Sequence, residues 1–275
     1  MGRQNRSFER RQRRLQEIAE ARAVPYSGPN RWWSTDTLAV VTGSSKGIGL
    51  EIVQQLAKQG LTIVLTSRDQ ARGQEVVASL QTEGLNVVFH QLDIVDPKSV
   101  ALFSKWIGEQ YGGIDILVNN AGVNFNTGSS NSVEYAETVI QTNYYGTKRM
   151  TEYMLPLMKP SSASARVLNV SSRLGRLNGR HNKIGDELLR NQLEDDEHLT
   201  EELIDTTVQS FMEQIREGTW VSGGWPQIFT DYSVSKLAVN AYTRFLARRL
   251  SDRPEGHKIY VNCYCPGWVK TDMTG

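Results

Sequence analysis

Six short apolar segments, separated by stretches with helical spacing, constrain the fold more than any other feature of the sequence. The predicted strands are residues 38–41, 61–66, 87–90, 114–118, 166–170 and 258–264. Continuous runs of Val, Ile and Leu are typical of strands covered on both faces, and helices between them favour parallel βαβ units. The pattern predicts an α/β fold, a doubly wound parallel sheet of the Rossmann type in a single domain.

The first 35 residues differ in composition from the rest of the chain. They are rich in arginine, with a weak helical pattern that Pro25, Gly28 and Pro29 end. We interpret residues 1–35 as a flexible N-terminal extension and residues 36–275 as the folded domain. An organelle-targeting segment is disfavoured because acidic residues interrupt the arginines.

Overall composition excludes several kinds of partner. The 275 residues carry a formal net charge of +1, which gives no reason to expect nucleic acid. No run of 18 or more apolar residues is present, so we expect no membrane span. The two cysteines, Cys263 and Cys265, are expected to be buried and unpaired, which favours a reducing compartment, the cytoplasm. The four histidines lack ligand spacing, so we expect no metal site.

One interval breaks the alternation of strands and helices. It is residues 173–230, with an acidic and polar part at 185–218 in which apolar residues keep helical spacing. A stretch of this length inside a compact domain needs structure of its own. We predict a helical insertion of two or three helices laid over the body of the domain.

A glycine-rich turn follows the first predicted strand. Its sequence is T-G-S-S-K-G-I-G (42–49), with glycines at positions 43, 47 and 49. Glycines allow a tight turn and a close approach to a diphosphate, which the N-terminus of the next helix receives. The expected cofactor-binding residues of this turn are Gly43, Ser45, Lys46, Gly47, Ile48 and Gly49. The alternative is a glycine-rich loop that binds nothing.

The end of the second strand selects between the two dinucleotides. An acidic residue there would hold the ribose 2′-hydroxyl of NAD, but this strand ends at Arg68. The guanidinium of Arg68, with Lys46 as a second cation, suits the 2′-phosphate of NADP. We therefore predict NADP(H), the alternative being two surface cations. Asp69 is expected to cap the following helix.

A set of polar residues that suits carbonyl reduction follows the later strands. The sequence N-N-A-G (119–122) follows the fourth strand, Asn143 lies in the next helix, and Ser171 and Ser172 end the fifth strand. Tyr232 and Lys236 are four residues apart and share one helical face. A nearby lysine and an oxidised nicotinamide lower the pKa of a tyrosine enough for proton transfer, and a serine hydroxyl can hold the carbonyl oxygen.

These motifs together resemble the short-chain dehydrogenase/reductase superfamily. More narrowly, residues 37–275 resemble the monomeric NADPH carbonyl reductases and the plant neomenthol dehydrogenase–salutaridine reductase subgroup. The resemblance further rests on L-T-S-R-D (65–69), F-H-Q-L-D-I (89–94), Y-G-G-I-D-I-L-V-N-N-A-G (111–122), N-V-S-S (169–172), Y-S-V-S-K (232–236) and C-P-G-W-V-K-T-D-M (265–273). It implies NADPH-dependent reduction of a ketone or aldehyde to an alcohol, and a monomer, because the insertion covers the surface through which other members assemble.

The resemblance also implies a role for each matching residue. Tyr232 is the proton donor, Lys236 binds the nicotinamide ribose and lowers the pKa of the tyrosine, and Ser172 orients the substrate carbonyl. Asn143 holds a water that relays protons to Lys236. The implied cofactor contacts are Asp93 to the adenine, Asn120 to the adenosine ribose region, and Val269 and Thr271 to the nicotinamide end.

Two points stay open at this stage. Phe125, Leu174 and Trp225 are candidates for an apolar substrate pocket, the alternative being that each simply packs in the body. The family continues beyond the position of Gly275 with a substrate-covering region, a helix and a last strand. A chain without them is expected to lack one wall of the pocket. The alternative function is therefore a catalytically impaired NADP(H)-binding protein on the same fold.

Overall fold

The computed structural model describes residues 31–126, 131–161, 163–179 and 182–273. Residues 1–30 of the predicted N-terminal extension (residues 1–35) and His181 lie outside the described residues. The fold given below is that of the unit Ser34–Gly275.

Six parallel strands form one sheet at the centre of this unit. They are β1 (Leu38–Val41), β2 (Thr62–Ser67), β3 (Val87–Gln91), β4 (Ile116–Asn119), β5 (Ala165–Val170) and β6 (Ile259–Tyr264). Their order is β3-β2-β1-β4-β5-β6, and every pairing between neighbours is parallel. The direction of strand addition reverses between β1 and β4, which opens a crevice at their carboxyl ends. The predicted doubly wound parallel sheet is confirmed.

Eight α-helices flank the sheet within the described residues. They are α1 (Gly47–Lys58), α2 (Gln70–Thr82), α3 (Pro97–Tyr111), α4 (Ala136–Ile140), α5 (Thr147–Met154), α6 (Glu187–Glu194), α7 (Glu201–Glu217) and α8 (Thr230–Arg249). A π-helical turn, Gln141–Gly146, joins α4 to α5, and a 3-10 turn, Arg173–Gly175, follows β5. None of the helices in the described part of the chain has the length and apolar character needed to cross a bilayer.

Local sequence explains where several helices begin and end. Asp69 accepts a hydrogen bond from the backbone amide of Arg72 at 3.0 Å and caps α2, as predicted. Asp96 caps α3, whose first residue is Pro97, and Gly112 ends α3 with a φ of 67°. An N-terminal aspartate supplies an acceptor to unpaired amides, and a C-terminal glycine adopts the left-handed conformation without strain.

The predicted helical insertion is confirmed as the two helices α6 and α7. Leu193 of α6 and Ile204, Val208 and Phe211 of α7 are buried against the body of the domain. Lys148 of α5 forms ion pairs of 2.6 Å with both Glu201 and Asp205 of α7. Apolar packing and ion pairs therefore both hold the insertion on the domain.

The expected burial of the cysteines was wrong for Cys263. Both cysteines are free, but Cys263 is exposed and Cys265 is half-buried. The physical reason is position, because β6 is the edge strand of the described sheet and no neighbouring strand among the described residues shields its carboxyl end. Cys265 lies beyond β6 and borders the crevice.

Candidate active site

A cleft of about 820 Å³ lies at the carboxyl ends of the strands, a size typical of cofactor and ligand sites. It gathers all but one of the predicted site residues, although they are spread over more than 200 positions of sequence. The predicted residues that line it are Gly43, Ser45, Lys46, Gly47, Ile48, Gly49, Arg68, Asp93, Asn120, Ser172, Tyr232, Lys236, Val269 and Thr271. Asn143 does not line the cleft, although the neighbouring Thr142 does.

The glycine turn is built so that only glycine fits at its close contacts. Gly43 has a φ of 59°, and a Cβ there would lie 2.8 Å from the Cα of Ala121. A Cβ on Gly49 would meet the side-chain amide of Asn120 at 2.4 Å and the carbonyl of Gly43 at 2.8 Å. Lys46, at the N-cap of α1, makes no side-chain cap. The first-turn amides of α1 therefore keep their donors for an anion, as a diphosphate requires.

Asn120 and Thr42 brace this turn from below. The Asn120 amide donates to the carbonyls of Thr42 and Gly43, both at 3.0 Å. The Thr42 hydroxyl accepts from the backbone amides of Asn120 and Ala121, also at 3.0 Å. These bonds join the glycine turn to the N-N-A-G segment, so Asn120 shapes the floor of the cleft. Its expected contact with the adenosine ribose region stays a prediction.

Cations collect where β2 ends. Arg68 lines the cleft as predicted, and Arg72, in the first turn of α2, lines it too. The sequence interpretation missed Arg72, although its place three residues after the predicted cap Asp69 put it in the first turn of a helix that starts beside Arg68. Lys46 forms an exposed ion pair with Asp272 at 2.8 Å, and this pairing holds the pKa of Asp272 below its usual range. Lys46, predicted to contact a phosphate, therefore has a carboxylate partner in this structure.

Tyr232 and Lys236 lie on the first two turns of α8 and face the cleft together. The Lys236 ammonium is 5.6 Å from the centre of the Tyr232 ring and donates to the carbonyl of Val170 at 2.9 Å. Burial raises the pKa of Tyr232 to about 12, with a smaller contribution from nearby Cys265, whereas a hydrogen bond with Ser172 opposes the increase. Burial lowers the pKa of Lys236 to about 8. The phenol is therefore protonated and the amine still mainly cationic at neutral pH.

The two serines after β5 have different surroundings. The Ser171 hydroxyl donates to the side chain of Asn240 at 2.6 Å, which ties the end of β5 to α8. The Ser172 hydroxyl lies beside the Tyr232 phenol, whose pKa it lowers, and accepts from the backbone amide of Leu174 at 3.2 Å. Of the pair, Ser172 is therefore the serine placed beside the phenol.

Asn143 is fully buried in the π-helical turn rather than in a regular helix. Its amide nitrogen donates to the carbonyl of Val123 at 2.9 Å and to the hydroxyl of Ser235 at 3.0 Å, and its oxygen accepts from the Val123 amide at 2.7 Å. The side chain thus fastens the N-N-A-G segment to α8. Its expected role in holding a water stays a prediction.

The three candidates for an apolar pocket separate in the structure. Phe125 lines the cleft, is 42% exposed and lies against the ring of Tyr135 at 4.6 Å. Trp225 is a core residue, 2% exposed, that packs on Phe211 and donates to the side chain of Gln214. Leu174 is half-buried and does not line the cleft. For Trp225 and Leu174 the structure therefore favours the alternative, that they pack in the body of the domain.

Comparison with known proteins identifies a family and several relatives. The model of the family described as short chain dehydrogenase matches residues 37–184 and 223–275. The (+)-neomenthol dehydrogenase of Arabidopsis thaliana is 40% identical over 87% of this chain and 85% of its own length. Carbonyl reductase [NADPH] 1 of Bos taurus is 41% identical over 88% of this chain and 85% of its own.

A solved structure shows the same architecture. Salutaridine reductase from Papaver somniferum superposes with a TM-score of 0.75 at 37% identity, covering 86% of this chain and 88% of the other. The interval that the family model leaves unmatched, residues 185–222, contains α6 and α7.

Proposed function

Because the chain belongs to the short-chain dehydrogenase family, we propose that it catalyses the NADPH-dependent reduction of a ketone or an aldehyde to an alcohol. The observation that carries the proposal is the cluster of Tyr232, Lys236 and Ser172 at one end of the cleft. A proton donor, a cation and a hydroxyl are the groups that carbonyl reduction requires of a protein.

Each of these side chains has a distinct part in the reaction. The reduced dinucleotide, when bound, supplies the hydride. Tyr232 donates its phenolic proton to the carbonyl oxygen, and Ser172 holds that oxygen by a hydrogen bond as charge develops on it. Lys236, cationic below its pKa of about 8, stabilises the phenolate that remains. Burial alone makes the phenol a weak acid, so this positive charge is essential to the transfer.

The cleft fits a dinucleotide that carries a 2′-phosphate. The glycine turn and the N-terminus of α1 suit the diphosphate, and Arg68 and Arg72 bring two guanidiniums to the end of β2. No carboxylate stands at position 68, where NAD-binding proteins of this type place one. We propose NADP(H) as the cofactor on these grounds.

Replacing Arg68 by aspartate should reverse this preference. We expect the Kd for NADPH to rise about 10- to 100-fold, since a charge-assisted hydrogen bond is lost and a like charge faces the phosphate. The Kd for NADH should change little or decrease. Fluorescence titration of both dinucleotides measures the effect. Lys105→Asp, an exposed substitution in α3 outside the cleft, is the control and should leave both Kd values unchanged. An unaltered ratio in Arg68→Asp would remove Arg68 from the phosphate site.

A direct assay tests the activity itself. Purified protein is mixed with NADPH and a panel of ketones and aldehydes, and loss of the absorbance of the reduced nicotinamide is followed. Steady consumption that depends on the carbonyl compound supports the proposal. Tight binding of NADPH without consumption across the panel would instead support a cofactor-binding protein without turnover.

We propose that the protein is a monomer. The support is the insertion helix α7, which packs over α8 and α4 and is fastened there by ion pairs from Lys148 and Arg249 to Glu201, and from Arg216 to Glu137. Faces of α4, α5 and α8 that α7 covers cannot serve a second copy of the chain. Sedimentation equilibrium should give the mass of one chain at all concentrations tested, and a concentration-dependent dimer would contradict the proposal.

A further inference from the structure

A buried carboxylate immediately precedes the proton donor. Asp231 is 1% exposed and does not line the cleft, so it is shielded from substrate and cofactor alike. Its Oδ1 accepts from the backbone amide of Tyr232 at 2.6 Å and from the side-chain amide of Asn126 at 2.7 Å. The second of these bonds joins positions that are 105 residues apart in the sequence.

Asn126 directly follows the part of the loop after β4 that lines the cleft. That loop contributes Val123, Asn124 and Phe125 to the lining. Asn126 is 5% exposed, and its Oδ1 accepts from the amide of Ser132 while its Nδ2 also donates to Asn124. The Asn126 side chain therefore connects Asn124 and Ser132 to Asp231 at the start of α8.

A second asparagine makes a parallel connection. Asn131 accepts from the backbone amide of Thr230 at 2.8 Å and donates to the Thr230 hydroxyl at 2.9 Å. Thr230 is the first residue of α8, and the preceding Phe229 has a φ of 47°, a left-handed conformation that is costly for a phenylalanine. The path of the chain into α8 is thus determined by contacts with the loop, in addition to those within the helix.

Burial of the Asp231 carboxylate lowers the stability of the fold, which indicates a role beyond filling space. A charge removed from water is destabilising unless hydrogen bonds compensate for it. Burial raises the pKa of Asp231, and the bonds from Asn126 and from the Tyr232 amide act in the opposite direction. A neutral apolar residue would have filled the same space at lower cost, but it would not have formed hydrogen bonds with Asn126 and with the Tyr232 amide.

We propose that Asp231 and Asn126 are positioning residues for carbonyl reduction, and that their hydrogen bond holds the loop after β4 and Tyr232 in one fixed arrangement beside the cleft. The inference rests on the activity proposed above. Neither side chain touches the reacting atoms. They act through Tyr232, whose backbone amide Asp231 holds, and through the loop that carries Phe125.

Replacing each residue separately tests whether the hydrogen bond positions Tyr232. Asn126→Leu keeps a side chain of similar size but removes the donor that lies 2.7 Å from Asp231, so it should lower kcat about 10- to 100-fold, because a displacement of about 1 Å in the site has effects of this size. Asp231→Asn keeps an oxygen that accepts from both donors and should lower kcat less than about tenfold.

The split between kinetic constants distinguishes positioning from general destabilisation. In Asn126→Leu we expect kcat to fall while the Kd for NADPH stays unchanged, since the glycine turn and Arg68 are untouched. Lys148→Met is the matched control, because it breaks the ion pairs of 2.6 Å to Glu201 and Asp205. It should lower the Tm as much as Asn126→Leu or more and leave kcat unchanged at temperatures where the protein is folded.

Amide hydrogen exchange decides the same question without any turnover. Peptides that cover residues 229–236 should exchange faster in Asn126→Leu and keep their protection in Asp231→Asn. If the starting protein reduces no carbonyl compound, the proposed activity fails, and the exchange measurement still reports on the coupling of loop and helix. Unchanged protection in Asn126→Leu, or an Asp231→Asn variant that loses as much protection as Asn126→Leu, would overturn the inference.

Discussion

Replacing Tyr232 by phenylalanine is expected to abolish carbonyl reduction while NADPH affinity stays nearly the same. The substitution removes only the hydroxyl, and the ring remains in place below the Lys236 ammonium, 5.6 Å from its centre. A positioned general acid contributes about 10²- to 10⁴-fold to a rate, so kcat should fall by at least about 100-fold. Initial rates at saturating NADPH measure the loss, and fluorescence titration measures the affinity.

Tyr242→Phe is the matched control for this experiment. Tyr242 lies in the same helix, ten positions further on, and is buried in the core rather than in the cleft. The same atom is removed in both variants, but only Tyr232 has a hydroxyl next to Ser172. We expect Tyr242→Phe to keep full activity. Substantial reduction by Tyr232→Phe would show that another group supplies the proton and would refute the assignment of Tyr232.

The strands were predictable because their burial is recorded in their composition. A strand covered on both faces needs apolar side chains at consecutive positions, as in β1, β2 and β4. All six predicted strands are present, and their ends differ from the predicted ones by two residues or fewer. β6 differs in pattern, since buried Ile259 and Val261 alternate with exposed Tyr260 and Asn262 at the edge of the described sheet. The π-helical turn at Asn143 was not predictable. Its hydrogen-bond pattern does not depend on a different spacing of apolar residues, so periodicity cannot separate it from an ordinary helix.

The lining of the cleft was predictable where a local motif carries the chemistry. The glycine turn, Arg68 and the Tyr232–Lys236 pair each depend on neighbours within one turn or one helix, and all of them line the cleft. Trp225 could not be assigned from the sequence because an apolar aromatic residue fits a core as well as a pocket, and only the position of α7 puts Phe211 against it. The spacing of apolar residues around Trp225 does not tell whether a distant segment such as α7 will cover it.

The contact between Asn126 and Asp231 shows the same limit most clearly. Each residue alone is an ordinary polar residue, near a motif that ends at Gly122 or begins at Tyr232. Their hydrogen bond forms only because the loop after β4 and the start of α8, 105 residues apart in the sequence, meet in the folded chain. The contacts that position the site therefore require the tertiary structure, whereas the residues proposed for its chemistry can be predicted from the sequence.

Gly175 lies at the contact between the 3-10 turn after Ser172 and helix α8. It ends the 3-10 turn that starts directly after Ser172, and that turn packs on the backbone of α8 at Lys236. A Cβ on Gly175 would lie 2.3 Å from the carbonyl carbon of Lys236 and 2.5 Å from its oxygen. Backbone atoms within a helix cannot give way, so the turn itself must shift. Asn240 bonds to the carbonyls of Gly175 and Ser172, at 3.0 and 3.4 Å, and these contacts would be strained together.

Gly175→Ala should therefore separate Ser172 from Tyr232. We expect kcat/KM for the carbonyl substrate to fall by about 100-fold or more, and the free energy of unfolding to fall by about 1–3 kcal/mol, as in other overpacked sites. The Kd for NADPH should change less, since the glycine turn and Arg68 lie on other strands. Steady-state kinetics and urea unfolding measure the two effects.

Gly108→Ala is the matched control for Gly175→Ala. Gly108 is inside α3, where a Cβ would make only an ordinary contact of 3.7 Å with Leu157. Alanine has the higher helix propensity, so this variant should be more stable by about 0.5–1 kcal/mol and fully active. If Gly175→Ala behaves in the same way, the packing of the Ser172 turn against Lys236 is not what places the serine beside the phenol.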